Sequence, residues 1–286
     1  MAETGRKTKG ERAMEFRPLH PDFGAEVIGF DVQAGGAPAE IEQLRRAYDA
    51  HSLLLFRGGG RVSPERHVEI ASWFGPPGPV DNSGKGDFVS VLQNEEPAGS
   101  LQLPFHSDLT YTDCPIKAIC LQAIEVPANG TSTTFISSMA AWDKLPPTLQ
   151  EELADTTLRH LHISNVSAYD WPDFVAEHPV RKLHPRTGRP ILLVTEHHAD
   201  RILELDETRS KAVLEELYGY LYAPEARYEH WWQLDDLLIW DNLAVQHART
   251  RYSDPSEGKR ALQRVALAEV GLPELIARAR QRQQAA

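Results

Sequence analysis

The sequence predicts a strand-rich core flanked by helices, formed as a single domain. Short apolar or alternating runs of strand length gather around the residues best suited to chemistry, with amphipathic helical segments between them. The Gly58-Gly59-Gly60 run lacks the spacing of a strand–loop–helix nucleotide fingerprint, which speaks against a doubly wound α/β sheet. A chain of 286 residues, 41% of them hydrophobic, is ample for one core, whereas two full domains would each be modest.

Taken in order, residues 25–30 alternate apolar and polar side chains and open the fold as a strand. Residues 38–50 read as a helix with Ile41, Leu44 and Tyr48 on one face. Pro64 sits at a helix start and introduces Val68, Ile70 and Trp73. Residues 116–126 form a buried strand, 138–142 begin a helix, and Pro147 with Leu149, Leu153 and Ala154 starts another. Residues 155–185, rich in His, Asp and Pro, form the least regular stretch and suit a lid or binding loop. Residues 191–195 read as a strand, 210–222 as an amphipathic helix packing through Val213, Leu214, Leu217 and Leu221, and 236–240 and 263–268 as strands. Trp231 and Trp232 suit packing or a subunit contact better than chemistry.

The net charge of -11 argues against a nucleic-acid partner. No apolar run approaches the length of a membrane span, so no membrane partner is expected. Two cysteines give no disulfide framework, and with no signal peptide apparent a cytoplasmic setting is expected. The single domain is placed at residues 14–275, with flexible tails at 1–13, which hold the basic residues 6–12, and at 279–286, although residues 275–282 also suit the continuation of a final helix.

The chemistry concentrates in Phe105-His106-Ser107-Asp108 and in His247, seven residues after Trp240. Two imidazoles and one carboxylate are the set that holds non-haem Fe(II) on one face and leaves the other open. In an extended strand His106 and Asp108 project to the same face, because side chains alternate with period two. His247 follows a short apolar run and an Asp241-Asn242 bend able to aim it inward. An HxD pair by itself is a weak signal, equally compatible with a solvated strand. A three-histidine zinc site using His106 and His247 stays open, although it gives Asp108 no task. There is no HExxH, and the adjacent His197 and His198 point apart in regular secondary structure. Arg249, Arg251, Lys259 and Arg260 form a basic neighbourhood that composition alone reads as surface.

Beyond the triad, Phe23-Gly24-Ala25-Glu26-Val27, Leu53-Leu54-Leu55-Phe56-Arg57-Gly58, Phe74-Gly75, His106-Ser107-Asp108-Leu109-Thr110-Tyr111, His184-Pro185-Arg186-Thr187-Gly188-Arg189 and Trp240-Asp241-Asn242 follow one another in order. With Arg260 and Arg264 they resemble the TauD/TfdA (taurine dioxygenase) family of Fe(II)- and 2-oxoglutarate-dependent dioxygenases over roughly residues 16–270. The resemblance implies a mainly β fold: a double-stranded β-helix (jelly-roll) core with flanking helices and the metal in its mouth. It implies iron on His106, Asp108 and His247, and the far carboxylate of 2-oxoglutarate on Thr133 and Arg260. Arg264 would meet an anionic group of a small organic substrate, as a guanidinium fork suits. Gln102 and Tyr111, with Trp171, are the remaining candidates for the substrate pocket. Gln102 stands where the taurine enzyme has Asn, and Pro76-Pro77-Gly78-Pro79-Val80-Asp81 stands where that enzyme has a His and a Tyr, so taurine is disfavoured.

The implied reaction consumes O2 and 2-oxoglutarate, hydroxylates an aliphatic C–H and releases succinate and CO2. Desaturation or cyclisation needs the same residues, and Asp108 argues against halogenation. A zinc-dependent hydrolase or a non-catalytic small-anion-binding protein are the readings outside the family's chemistry. A homodimer or homotetramer is expected from relatives.

Overall fold

A computed structural model of the chain describes residues 14–79, 88–95, 100–163, 171–251 and 253–285. In chain order the strands are β1 (Glu15–Pro18), β2 (Ala25–Ile28), β3 (Leu53–Phe56), β4 (Val89–Gln93), β5 (Leu103–His106), β6 (Ala118–Glu125), β7 (Ser132–Ser137), β8 (Thr157–His162), β9 (Phe174–Pro179), β10 (Arg181–Leu183), β11 (Pro190–Leu192), β12 (Ala199–Ile202), β13 (Tyr228–Trp231), β14 (Leu237–Asp241), β15 (Val245–Arg249) and β16 (Ala261–Leu267). The helices are α1 (Pro38–His51), α2 (Pro64–Ser72), α3 (Ser138–Lys144), α4 (Pro147–Leu153), α5 (Glu207–Leu221) and α6 (Leu272–Ala285).

The strands assemble into a seven-stranded sheet of order β1-β2-β3-β14-β6-β16-β4 and a four-stranded sheet of order β13-β7-β15-β5. Two smaller sheets, β12-β8-β9 and β10-β11, complete the set. The architecture is mixed α/β: several sheets with helices packed on their outer faces.

Period-two alternation decides which side chains meet between the two large sheets. In β3, Leu53 and Leu55 join Leu238 and Trp240 of β14 and Phe135 of β7 in a central cluster. Leu54 and Phe56, with Leu237 and Ile239, face the other way onto Leu44, Ala47 and Tyr48 of α1 and Ile70 and Ala71 of α2. Covered on both sides, β3 reads as an unbroken apolar run rather than an alternating one. The four-stranded sheet is treated alike: Ile136, Phe105 and Ala248 turn outward onto α3, α4 and α5. The same alternation turns His106, Thr133 and His247 inward.

The helix starts use local chemistry. Ser63 accepts the Arg66 backbone N–H at 3.2 Å ahead of α2, and Asp206 accepts that of Arg209 at 2.9 Å ahead of α5. Pro38 and Pro64 occupy first-turn positions where no N–H is needed.

Three expectations need correcting. Residues 155–185 are not one irregular loop: they hold β8, β9 and β10, with 164–170 outside the described residues. The pattern was hidden because inward positions carry histidine, His160 in β8 and His178 in β9, where an apolar residue would have signalled alternation. The strand expected at 191–195 pairs only over Pro190–Leu192; residues 193–195 continue buried without a ladder. The carboxyl-terminal segment is helical through Ala285, with Ala279 packed in the central cluster, rather than a tail from 279. Residues 1–13 lie outside the described residues.

Candidate metal centre

His106 ends β5 and stands directly opposite His247 of β15 in the antiparallel register. That pairing brings their rings to 4.3 Å between centroids. Asp108 does not extend the strand, as the same-face argument supposed. The ladder stops at His106, and Asp108 begins a turn in which Leu109 adopts a positive φ of 60°. The carboxylate is aimed instead by Asn242, whose side-chain oxygen accepts the Asp108 N–H at 2.9 Å while its amide donates to the Asp108 carbonyl at 3.1 Å and the Ile116 carbonyl at 2.8 Å. Asn242 is fully buried, and the turn that carries it is braced by Asp241. One Asp241 oxygen accepts the N–H groups of Leu243 and Ala244, and the other is held by His184 and Arg186, each at 2.9 Å. The His184-Pro185-Arg186 motif thus fixes the turn leading into the His247 strand.

His106, Asp108 and His247 form the one cluster of metal-ligating groups among the described residues, their ligand atoms all within 4.8 Å of one another. Asp108 Oδ1 lies 3.3 Å from His106 Nε2 and 3.6 Å from His247 Nε2. The His106 ring donates its Nδ1–H to the Pro104 carbonyl at 2.8 Å, which leaves the Nε2 lone pair facing the cluster. Burial, reinforced by His106, pushes His247 down to about 3, so its imidazole is neutral, the form a metal requires. Burial alone would raise the Asp108 carboxyl. Contact with the His106 ring and the charge of Arg264 outweigh it and hold the group well below the usual carboxylate range. Two imidazoles and a carboxylate fit Fe(II).

The cluster opens into a cavity of about 580 Å³ lined by Thr133, Tyr111, Trp171, Arg249, Arg260 and Arg264 among others. Arg264, on β16, places Nη2 2.6 Å from Asp108 Oδ2. Arg260, just before β16, is 4% exposed, and its Nε and Nη1 have no partner among the described residues. Burial, then the nearby Arg249, pulls its guanidinium down to about 9, so it is a bare buried cation at neutral pH. An uncompensated cation in such a place fits an anion arriving from the cavity, as the far carboxylate of 2-oxoglutarate would. Thr133 of β7 lines the same cavity.

Gln102 is not brought to the site: its amide donates to the Thr250 carbonyl at 3.0 Å, outside the cavity lining. Val80 and Asp81 lie outside the described residues, while Pro79 lines the cavity. The basic neighbourhood divides: Arg249 and Arg260 are buried, whereas the side chains of Arg251 and Lys259 are 63% and 45% exposed. Arg249 was legible in principle, because it follows the inward-facing His247 by two positions on one strand.

Sequence reasoning missed a wall of rings. His197 and His198 occupy a turn, so they do not diverge as strand residues would. Their centroids lie 4.3 Å apart and 5.8 and 6.3 Å from that of His106. Tyr111 stacks on His162 at 4.7 Å and meets His198 edge-on at 4.6 Å. Burial holds His197 down at about 4 and His198 at about 2, so the wall is uncharged. None of the three joins the metal cluster.

The comparisons with known proteins agree with this geometry. A family model described as taurine catabolism dioxygenase TauD, TfdA family, matches residues 15–266. An alkylsulfatase of Acinetobacter baylyi is 26% identical over 277 residues, covering 89% of this chain and 85% of the relative. An (S)-phenoxypropionate/alpha-ketoglutarate-dioxygenase of Sphingobium herbicidovorans is 29% identical over 269 residues, covering 83% of this chain and 90% of the relative. The crystal structure of a taurine dioxygenase from Burkholderia xenovorans is similar with a TM-score of 0.77 at 25% identity, covering 90% of this chain and 91% of that one. The family match spans all three metal-site residues together with Arg260 and Arg264, and the chain belongs to the TauD/TfdA family of Fe(II)- and 2-oxoglutarate-dependent dioxygenases.

Proposed function

We propose that the protein hydroxylates an aliphatic C–H of a small anionic substrate, consuming 2-oxoglutarate and O2 and releasing succinate and CO2. The observation that carries this reading is the convergence of the triad, the unpartnered Arg260 and Arg264 on one cavity. When bound, Fe(II) supplies the activation of O2 and the oxidising power directed at the substrate C–H. The residues of the chain set the geometry. His106, Asp108 and His247 hold the metal from one side; Arg260 and Thr133 take the far carboxylate of 2-oxoglutarate, which fixes how its keto acid end meets the metal. Arg264, beside Asp108, takes the substrate's anionic group and so brings the neighbouring carbon to the metal.

The remaining lining is mostly apolar and aromatic: Leu92, Leu103, Ile119, Tyr111 and Trp171, with the neutral histidine wall. Such walls favour an anion carrying an apolar body over a small aminoalkyl sulfonate. Relatives named for alkyl sulfates and for 2,4-dichlorophenoxyacetate agree with an anion on an apolar body. Ring formation or desaturation is the second outcome, because it needs the same residues.

The same reading takes the seven- and four-stranded sheets as the two faces of a double-stranded β-helix. It takes residues 14–275 as one domain, the protein as a cytoplasmic homodimer or homotetramer, and nucleic acid as no partner. Among the described residues no helix is long and apolar enough to cross a membrane.

The test is succinate release from Fe(II), 2-oxoglutarate, O2 and ascorbate across sulfonates, sulfate esters, aryloxyalkanoates and amino-acid derivatives. Succinate stimulated by an apolar anion, with a product heavier by one oxygen, is the expected result; a product lighter by two hydrogens selects desaturation or ring closure. Failure to bind both Fe(II) and 2-oxoglutarate would overturn the assignment.

A further inference from the structure

Trp232 follows β13 and is 3% exposed, outside the cavity lining. Its indole Nε1–H donates to Thr133 Oγ1 at 3.0 Å, across the β13–β7 pairing in which His230 opposes Thr133. The ring is held in place from several sides. Its backbone N–H donates to the Thr131 carbonyl at 3.0 Å, and His230 meets it edge-on at 4.6 Å between centroids. The turn that follows is closed by Asp236, which accepts the Gln233 N–H at 2.9 Å and is itself clamped by Arg57 through two bonds of 3.1 and 3.0 Å.

A threonine hydroxyl has one proton to give and two lone pairs, and by rotating it can present either to a ligand. An indole N–H can only donate. The bond occupies one lone pair of Thr133, turns the hydroxyl proton away from the indole and polarises the O–H, so the proton is favoured on the cavity side. We infer that Trp232 is a positioning residue for the co-substrate: by donating to Thr133 it biases that hydroxyl toward donating, and strengthens it as a donor, to an anionic oxygen beside Arg260. This rests on the reading that Thr133 and Arg260 take the far carboxylate of 2-oxoglutarate. The physical content is a polarity rule. A hydroxyl left to rotate must give up orientational freedom to turn its proton to a carboxylate; one already accepting from Trp232 has fewer orientations to lose and a more polarised proton to give.

The experiment titrates 2-oxoglutarate into anaerobic, Fe(II)-loaded protein, following the metal-to-ligand absorption band, in Trp232→Phe, Thr133→Val and the double variant. Phe keeps an aromatic ring and loses the N–H. Trp232→Phe alone is expected to weaken 2-oxoglutarate binding about fivefold, the scale of one neutral hydrogen bond. It should also narrow the preference for 2-oxoglutarate over 2-oxopentanoate, which lacks the far carboxylate. The double variant should bind no more weakly than Thr133→Val alone, because the N–H then has no hydroxyl to orient. If Thr133→Val weakens binding and Trp232→Phe does not, Trp232 has no such role while the Thr133 assignment stands. If the two losses multiply in the double variant, Trp232 acts by packing and the inference is overturned. No loss in Thr133→Val overturns the underlying assignment, and the inference with it. Should Trp232→Phe fail to fold, benzothienylalanine at position 232 preserves the bicyclic shape without the N–H, with the same outcomes.

Discussion

Arg264 in the middle of β16 and Arg260 just before it stand four residues apart and line one cavity, yet they are buried on opposite terms. Arg264 is neutralised within the protein by Asp108 at 2.6 Å. Arg260 is more deeply buried, has two donors without partners among the described residues, and lies near a second cation in Arg249. A paired ion beside the metal ligands and a bare ion farther up the cavity do different work. The first keeps the metal's carboxylate ionised and oriented. The second carries an unfavourable burial that an anion entering the cavity would relieve, as the proposed 2-oxoglutarate site requires.

The largest effect tests the frame common to both ends. His106→Ala is expected to abolish the absorption formed by anaerobic Fe(II) plus 2-oxoglutarate; an undiminished band would remove the metal from this cluster and leave the comparison without meaning. Next is Arg260→Met, which should weaken 2-oxoglutarate binding by roughly 100-fold, the scale of losing a buried charged pairing. The same change should raise the melting temperature of the ligand-free protein by a few degrees, because it removes an uncompensated buried cation. A fall in both quantities would mean that Arg260 is a structural pair and not a bare ion. Arg264→Ala has the reverse signature: about tenfold weaker binding of the anionic substrate, a far smaller loss for 2-oxoglutarate, and a lower melting temperature. Equal losses for both ligands would place Arg264 at the co-substrate.

The smallest effect concerns a third way of burying a titratable group, as a neutral one. Burial holds His67 down at about 4, where it also contacts Gln263 at 2.9 Å, and His160 down at about 3. Both folded values lie below the ordinary 6.5, so from about 6.5 downward the unfolded chain binds protons that the folded one refuses. Stability contributed by each neutral imidazole is therefore complete above about 6.5 and falls as the pH drops toward its folded value, by up to about 1.4 kcal/mol per pH unit. Urea midpoints measured from pH 7.5 to 4.5 should decline, and His160→Leu should flatten the decline. An unaltered slope in that variant would show that His160 takes up its proton in the folded state.

Much of this molecule was legible because its patterns are local. The helices α1 and α2 announce themselves through an N-terminal Pro, and α1, α2 and α5 through a single apolar face, and each forms within a few residues of its expected bounds. The strands β6, β14 and β16 form close to the segments expected at 116–126, 236–240 and 263–268. The site was less legible. Asp108 was matched to the right partners for an incomplete reason, since Asn242, 134 residues away, aims it rather than strand alternation. β8 and β9 escaped notice because buried histidines occupy their inward positions, and hydropathy does not register a neutral imidazole as core.

What the sequence determined by itself is the inventory: two histidines and a carboxylate, two arginines four apart, a threonine, and the ordered motifs that tie them to one family. Those follow from residue identity and short-range spacing, which no folding can change. The tertiary structure decided which of these groups are paired. Whether Arg264 meets Asp108, whether Arg260 stays bare, and whether Thr133 receives the proton of Trp232 depend on strands that are distant in the chain and adjacent only across the sheets. Ion pairing and hydrogen bonding fall off within a few ångströms, and the register of the sheets alone sets those distances.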